Sequence, residues 1–244
     1  MALRCPLAGV IGKRPTAIEE PLSVQLKTQT QAQHDEAEHH PLHSVLFGSE
    51  GADRARAAYV ALLHQHLLIQ EVFEPLLRRE ADSGLLRTLA REHHYHLAAL
   101  RDDLTAMGAG TGHVAAVEAT DRFRAFISQS ATENAAALIG VFYVFEGSTN
   151  GGTIIAKRLR ELLALPDDRG LRFINPHGST VRARWAEWKV ALDAMALTPV
   201  QQHAAIMAAQ ETFRLSHRVL GDVHARMTPT VTVRTAAERA TQPL

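Results

Sequence analysis

Along most of the chain, apolar residues recur at three- and four-residue steps, the period of a helix that buries one face. Leu26, Thr30, Gln33, His34 and Ala37 share one such face; Ser23 ahead of them is a predicted N-cap, and Pro41 is predicted to end the helix. Tyr59, Leu62, Leu63, His66, Leu67, Phe73, Leu76 and Leu77 predict a second, long helix that Pro75 interrupts and kinks and Gly84 closes. Leu85, Leu86, Leu89, Leu97, Leu100, Leu104 and Met107 predict a third, stopped by the glycine-rich run 108–112. A shorter helix is expected around 117–127. Residues 132–164 then carry a helical pattern (Ala136, Ile139, Tyr143, Val144, Ile155, Leu159, Leu162) punctured by Gly140, Gly147, Gly151 and Gly152. Residues 166–178 read as a loop, after which Ser179 and the capping-box sequence Thr198-Pro199-Val200-Gln201 open two final helices.

Strand-like alternation, internal repeats and composition shifts are all missing from this pattern, so the expectation is one all-α domain. Its bounds are read as 22–226, between a flexible N-terminal extension (1–21) and a flexible C-terminal tail (227–244). Composition agrees: hydrophobic residues make up 46% and aromatics only 5%, with Ala and Leu dominating over the β-branched types. Lys plus Arg (26) balance Asp plus Glu (26), so no net field draws the chain to nucleic acid or an anionic membrane. The single Cys5 cannot form an internal disulfide, and the longest apolar run, 135–145, is about half of what spans a bilayer. The expected location is the cytoplasm.

Four glycines in one helical segment would each cost about 1 kcal/mol relative to alanine, which calls for an offsetting gain. Gly147 and Gly151 lie on one face, where missing side chains let either a neighbouring helix or a flat ligand approach the axis. Spacing leaves both readings open. On the first helix His34 has Glu38 one turn later on the same side. A neutral imidazole can bind iron through one nitrogen while a carboxylate holds the proton on the other; the same pattern also suits a core histidine.

With these residues in view, the sequence resembles the heme oxygenase family. Residues 26–38 (LKTQTQAQHDEAE) resemble its proximal helix, in which the histidine corresponding to His34 ligates heme iron. Residues 142–152 (FYVFEGSTNGG) resemble its distal helix, whose glycines, here Gly147 and Gly151, bend over the heme and admit oxygen. Leu197-Thr198-Pro199 and Phe213 match a further block, and the likeness runs from about Leu22 to Val223. The resemblance implies a single-domain helical bundle with heme b between the proximal and a kinked, Gly-rich distal helix. It implies oxidative cleavage of heme to biliverdin, carbon monoxide and ferrous iron, with heme as both cofactor and substrate. Its implied heme-binding set is His34, Glu38, Lys27, Ala37, Gly147, Gly151, Lys189 and Phe213, the two lysines lying near the propionates. Gly147, Ser148 and Gly151 form the implied catalytic face. Better-known members have an aspartate where this chain has Ser148, a hydroxyl that carries no charge; Asn150 could share its role, while Glu146 is expected to point to a different face.

The chain has no dinucleotide fingerprint and no cysteine cluster, so electrons are expected from a ferredoxin, flavodoxin or reductase, with O2 as oxidant and the protein a monomer or weak dimer. Two other readings use the same residues differently. One is a heme sensor or carrier of this fold with little turnover. The other is a non-heme di-iron oxidase, suggested by Glu36-x-x-His39 and by Glu92, His93, His94 and His96, with His93 and His96 spaced for one helix face. A thiamin-salvage-type helical enzyme would need a core cysteine, which Cys5 does not supply.

Overall fold

A computed structural model describes residues 20–112 and 114–227, without the side chain of Ser83. The extension expected at 1–21 and the tail at 227–244 lie almost wholly outside the described residues. Within them the chain forms eight α-helices: α1 (Leu22–Glu38), α2 (Pro41–Leu46), α3 (Ala52–Ser83), α4 (Leu97–Ala106), α5 (Glu118–Glu133), α6 (Ala137–Leu162), α7 (Val181–Asp193) and α8 (Pro199–Met227). Strands are absent among the described residues, and no described helix is long and apolar enough to cross a membrane.

Helices α6 and α8 form the centre, with α1, α5 and α3 packed around them. On α6, Leu138, Ile139, Val141 and Phe142 are all buried, and Phe142 packs edge-on against Trp188 of α7 at 5.2 Å between ring centroids. Each side chain of this size contributes roughly 1.5–3 kcal/mol on full burial. α3 carries Pro75 inside an unbroken 32-residue helix, and Gly84 caps it as predicted, its N–H reaching Glu80. The Thr198–Gln201 capping box is present: the Thr198 N–H donates to Gln201 Oε1 at 2.9 Å, and the Gln201 N–H to Thr198 Oγ at 3.3 Å.

Three expectations are corrected. Ser23 is not the N-cap; Pro21 is, and Ser23 lies in the first turn, where its N–H and hydroxyl both donate to Asp193 of α7 at 2.8 and 2.7 Å. An N–H with no partner inside its own helix is thus satisfied from another one. Pro41 does not close α1, which ends at Glu38; it occupies the first position of α2, where a missing N–H is harmless. The third helix is shorter than predicted. Residues 85–96 form turns and a 3-10 turn at Glu92–His94, although Leu86 and Leu89 are buried, and α4 begins at Leu97, whose N–H donates to the buried Glu74 carboxylate of α3 at 2.8 Å.

The loop after α6 is pinned at its middle. Asp103, fully buried on α4, accepts from the N–H groups of Gly170 (3.0 Å) and Phe173 (2.6 Å), and the Tyr59 hydroxyl donates to Gly170 O at 2.8 Å. Burial pushes the Asp103 carboxyl up, and these backbone N–H groups pull it partly back. These bonds fix the path of the loop, which carries His177.

Candidate active site

The four glycines of α6 fall into two pairs. A Cβ at Gly140 would lie 2.0 Å from Ala205 O of α8, and one at Gly152 would lie 1.9 Å from Ile174 O of the pinned loop. Those two glycines are there for backbone approach. A Cβ at Gly147 would meet only the Trp185 ring at 3.6 Å, and one at Gly151 would meet nothing within 4 Å. Close approach of the α8 backbone and of the loop therefore accounts for Gly140 and Gly152, while Gly151 faces open space and Gly147 only an aromatic ring, which leaves that side of the helix clear of other backbone, as a flat ligand needs.

His34 is carried by α1. Its buried residues, Leu22, Ser23, Leu26 and Thr30, are confined to its first half, and the helix packs on α8 and α7. It meets α6 where the Tyr143 hydroxyl approaches that of Thr30. His34 follows Thr30 by one turn and Gly147 follows Tyr143 by one turn. The His34 side chain is 47% exposed; its Nε2 is 3.7 Å from Glu38 Oε1 and its Nδ1 3.8 Å from Asp35 Oδ1, both beyond hydrogen-bond reach. The ring stands edge-on to Phe213 of α8 at 5.8 Å, so Phe213 braces it from one side. Ala37 is half-buried beside it. An imidazole held by an aromatic edge, with carboxylates near both nitrogens, has a ring nitrogen available to a metal.

The two sequence-predicted lysines come together through the helix register. Ser23 touches Asp193, while Trp185 packs on Tyr143 at 5.4 Å and Tyr143 reaches Thr30, so α1 and α7 run antiparallel past each other. Lys27 is one turn after Ser23, and Lys189 is one turn before Asp193, with its Nζ 5.6 Å from the Trp185 ring centroid. Both residues thus fall within one turn of the contact that joins α1 to α7, Lys27 exposed and Lys189 half-buried.

A model of the heme oxygenase family matches residues 20–222. The chain belongs to the heme oxygenase family. As such it is an oxidoreductase that acts on heme. Comparison with curated protein sequences gave no match. Among solved structures, heme oxygenase from Leptospira interrogans superposes with a TM-score of 0.71 at 20% identity, covering 82% of this chain and 98% of that one. Heme oxygenase-1 from the cyanobacterium Synechocystis sp. PCC6803 in complex with heme gives 0.74 at 17% identity, covering 85% and 94%. Heme oxygenase-2 from the same cyanobacterium, in complex with heme and NO, gives 0.75 at 18%, covering 87% and 88%.

On this heme oxygenase-family chain, Ser148 is exposed, and its hydroxyl donates to Phe145 O at 2.7 Å, which leaves only its lone pairs free to accept. Asn150 donates through Nδ2 to Gly147 O at 3.1 Å. Glu146 points elsewhere, as expected from its position beside the glycine, and lies buried among His94, His96 and His177. Burial pushes its carboxyl up, but the hydrogen-bonding imidazoles of His177 and His96 outweigh that and hold it down at about 2. The di-iron pattern does not assemble: Glu36 faces His217 at 3.9 Å, and the His39 ring bonds the Asp35 carbonyl. His93 and His96 do not share a helix face, because one belongs to the 3-10 turn and the other precedes α4. Sequence reasoning missed Trp185 as the residue under Gly147; its spacing of three from Trp188, the chain's other tryptophan, was the available signal.

Proposed function

We propose that this chain cleaves heme with O2 to biliverdin, carbon monoxide and ferrous iron, binding heme b through His34 in the space between α1 and α6. The observation that carries this reading is the split among the α6 glycines, where Gly151 faces open room and Gly147 only the Trp185 ring, while Gly140 and Gly152 face backbone. Bound heme supplies the iron that activates oxygen and the ring that is opened. The chain supplies position and polarity. His34 offers a neutral nitrogen donor, with Glu38 and Asp35 placed to take the proton of its second nitrogen after a small rotation. Lys27 and Lys189 suit carboxylate groups at the edge of the ligand, and Phe213 and Ala37 give its underside apolar contact. Gly147 and Gly151 let the distal wall come close. Ser148 accepts from a water rather than donating to one, and Asn150 keeps its Oδ1 for the same purpose, so proton delivery runs through water.

Residues 22–226 act as one catalytic unit in the cytoplasm, as a monomer or weak dimer. Electrons come from a separate ferredoxin, flavodoxin or reductase, since the chain has neither a dinucleotide fingerprint nor a cysteine cluster. Hemin added to the purified chain, followed by a reductant under air with catalase present, tests the reading. A Soret band that forms and decays into broad red biliverdin absorption is expected. A stable Soret band would mark a heme carrier, and no Soret band would refute heme binding at His34.

A further inference from the structure

Behind the glycine face of α6 lies a second constellation that heme binding does not use. We propose that His96, His177 and Glu146 form a binding site for one divalent first-row transition-metal ion, distinct from the iron of heme. The three residues come from the residue before α4, the pinned loop and α6, and their ligand atoms lie within 4.8 Å of one another. His177 Nε2 is 3.1 Å from Glu146 Oε2 and His96 Nε2 is 3.5 Å from Glu146 Oε1. At metal–ligand bonds of 2.0–2.2 Å, a tetrahedral ion keeps its ligand atoms roughly 3.4 Å apart, so a small ion fits between these groups with little movement. The two imidazoles stand at 67° to each other with centroids 6.0 Å apart, flanking the carboxylate rather than stacking.

Burial and support favour a built site. The side chains of Glu146 and His177 are each 4% exposed and that of His96 12%. Glu74 fixes the start of α4 and with it His96, while Asp103 and Tyr59 fix the loop that carries His177. His94 has a different task. Its Nδ1 accepts the Arg91 N–H at 2.9 Å, so its proton is on Nε2, which points at Glu146 Oε2 from 3.9 Å. At that distance the ring makes no hydrogen bond to the carboxylate, but its polar N–H edge faces the ligand oxygen from outside the site. Two imidazoles and one carboxylate with open positions suit Zn2+ or Fe2+.

The test uses the full chain, freed of metal by chelator and without hemin, so its outcome is independent of heme binding. Calorimetric titration with Zn2+ is expected to show one saturable site per chain, weakened at least tenfold in His177→Ala and in Glu146→Gln and unchanged in His34→Ala. The His34 variant controls for the exposed His34, Asp35 and Glu38 group, whose ligand atoms also lie close together. Absence of saturable binding, or binding lost in His34→Ala but kept in His177→Ala, would overturn the proposal. Should the His177 or Glu146 variants fail to fold, the Co2+-loaded wild type decides it: two paramagnetically shifted imidazole N–H resonances are expected, and none would refute it. Anaerobic displacement of Co2+ by Zn2+ against Fe2+ then identifies the preferred ion.

Discussion

Gly140 and Gly147 lie two turns apart along α6 and have opposite surroundings: a side chain at the first would strike the α8 backbone at 2.0 Å, and one at the second would touch only the Trp185 ring at 3.6 Å. Gly140→Ala is therefore expected to cost about 3 kcal/mol or more in stability. Gly151→Leu, projecting into open space, is expected to leave the melting temperature unchanged or slightly raised and to weaken hemin binding at least tenfold. Paired thermal melts and hemin titrations check both; normal hemin affinity in Gly151→Leu would refute the assigned distal face.

His34 is half-exposed and touches the core only through the Phe213 edge, so its removal should hardly disturb folding. For His34→Ala the expectation is a stability change within about 0.5 kcal/mol together with a shifted or lost Soret band. An unchanged absorption spectrum would assign the iron to another ligand.

Lys27 and Lys189 each lie one turn from the Ser23–Asp193 contact that joins α1 to α7, the first exposed and the second half-buried, and each surface cation is worth up to about 1 kcal/mol to a carboxylate partner. Replacing either with alanine should weaken hemin binding up to about fivefold, with the loss shrinking as salt rises. The double variant should also change which biliverdin isomer forms, read by chromatography of the product. A salt-independent loss would argue against charge pairing.

His66 on α3 is half-buried with its Nδ1 enclosed and unpartnered, and desolvation lowers its pKa from 6.5 to about 4. The unfolded chain takes up a proton on this ring below about pH 6.5, whereas the folded chain keeps it neutral until about pH 4. Its contribution is thus complete above pH 6.5 and is lost as pH falls toward 4. Urea unfolding of His66→Leu across that window should show a flatter acid limb than wild type; equal slopes would mean the ring titrates normally.

Elements whose signal is local were legible in the chain. The Thr198–Gln201 box, the Gly84 stop and the positions of His34 and Gly147 on their helices all follow from spacing within a few turns. The failures have a common physical origin. Leu85, Leu86 and Leu89 imitate a helical stripe, but α4 starts only where Glu74, more than twenty residues earlier, offers its carboxylate to Leu97. Whether a glycine in α6 serves packing or a ligand depends on Ala205 and Ile174, which no window around the glycine contains. His177 reaches Glu146 only because Asp103 and Tyr59 hold the loop between them, a contact set by tertiary structure alone.

The uneven burial of α1 has a further consequence for how the chain breathes. Its first half is anchored by Leu22, Leu26 and Thr30 and by the link to Asp193, while residues beyond Thr30 bury no side chain fully and meet α8 only through partly exposed contacts such as His34 with Phe213 and Glu36 with His217. Local opening should therefore begin at the His34 end and stop near Thr30. Amide hydrogen exchange would divide the helix into a slow N-terminal half and a fast C-terminal half, and hemin should protect the fast half selectively. Ligand binding then completes the folding of the helix that receives it.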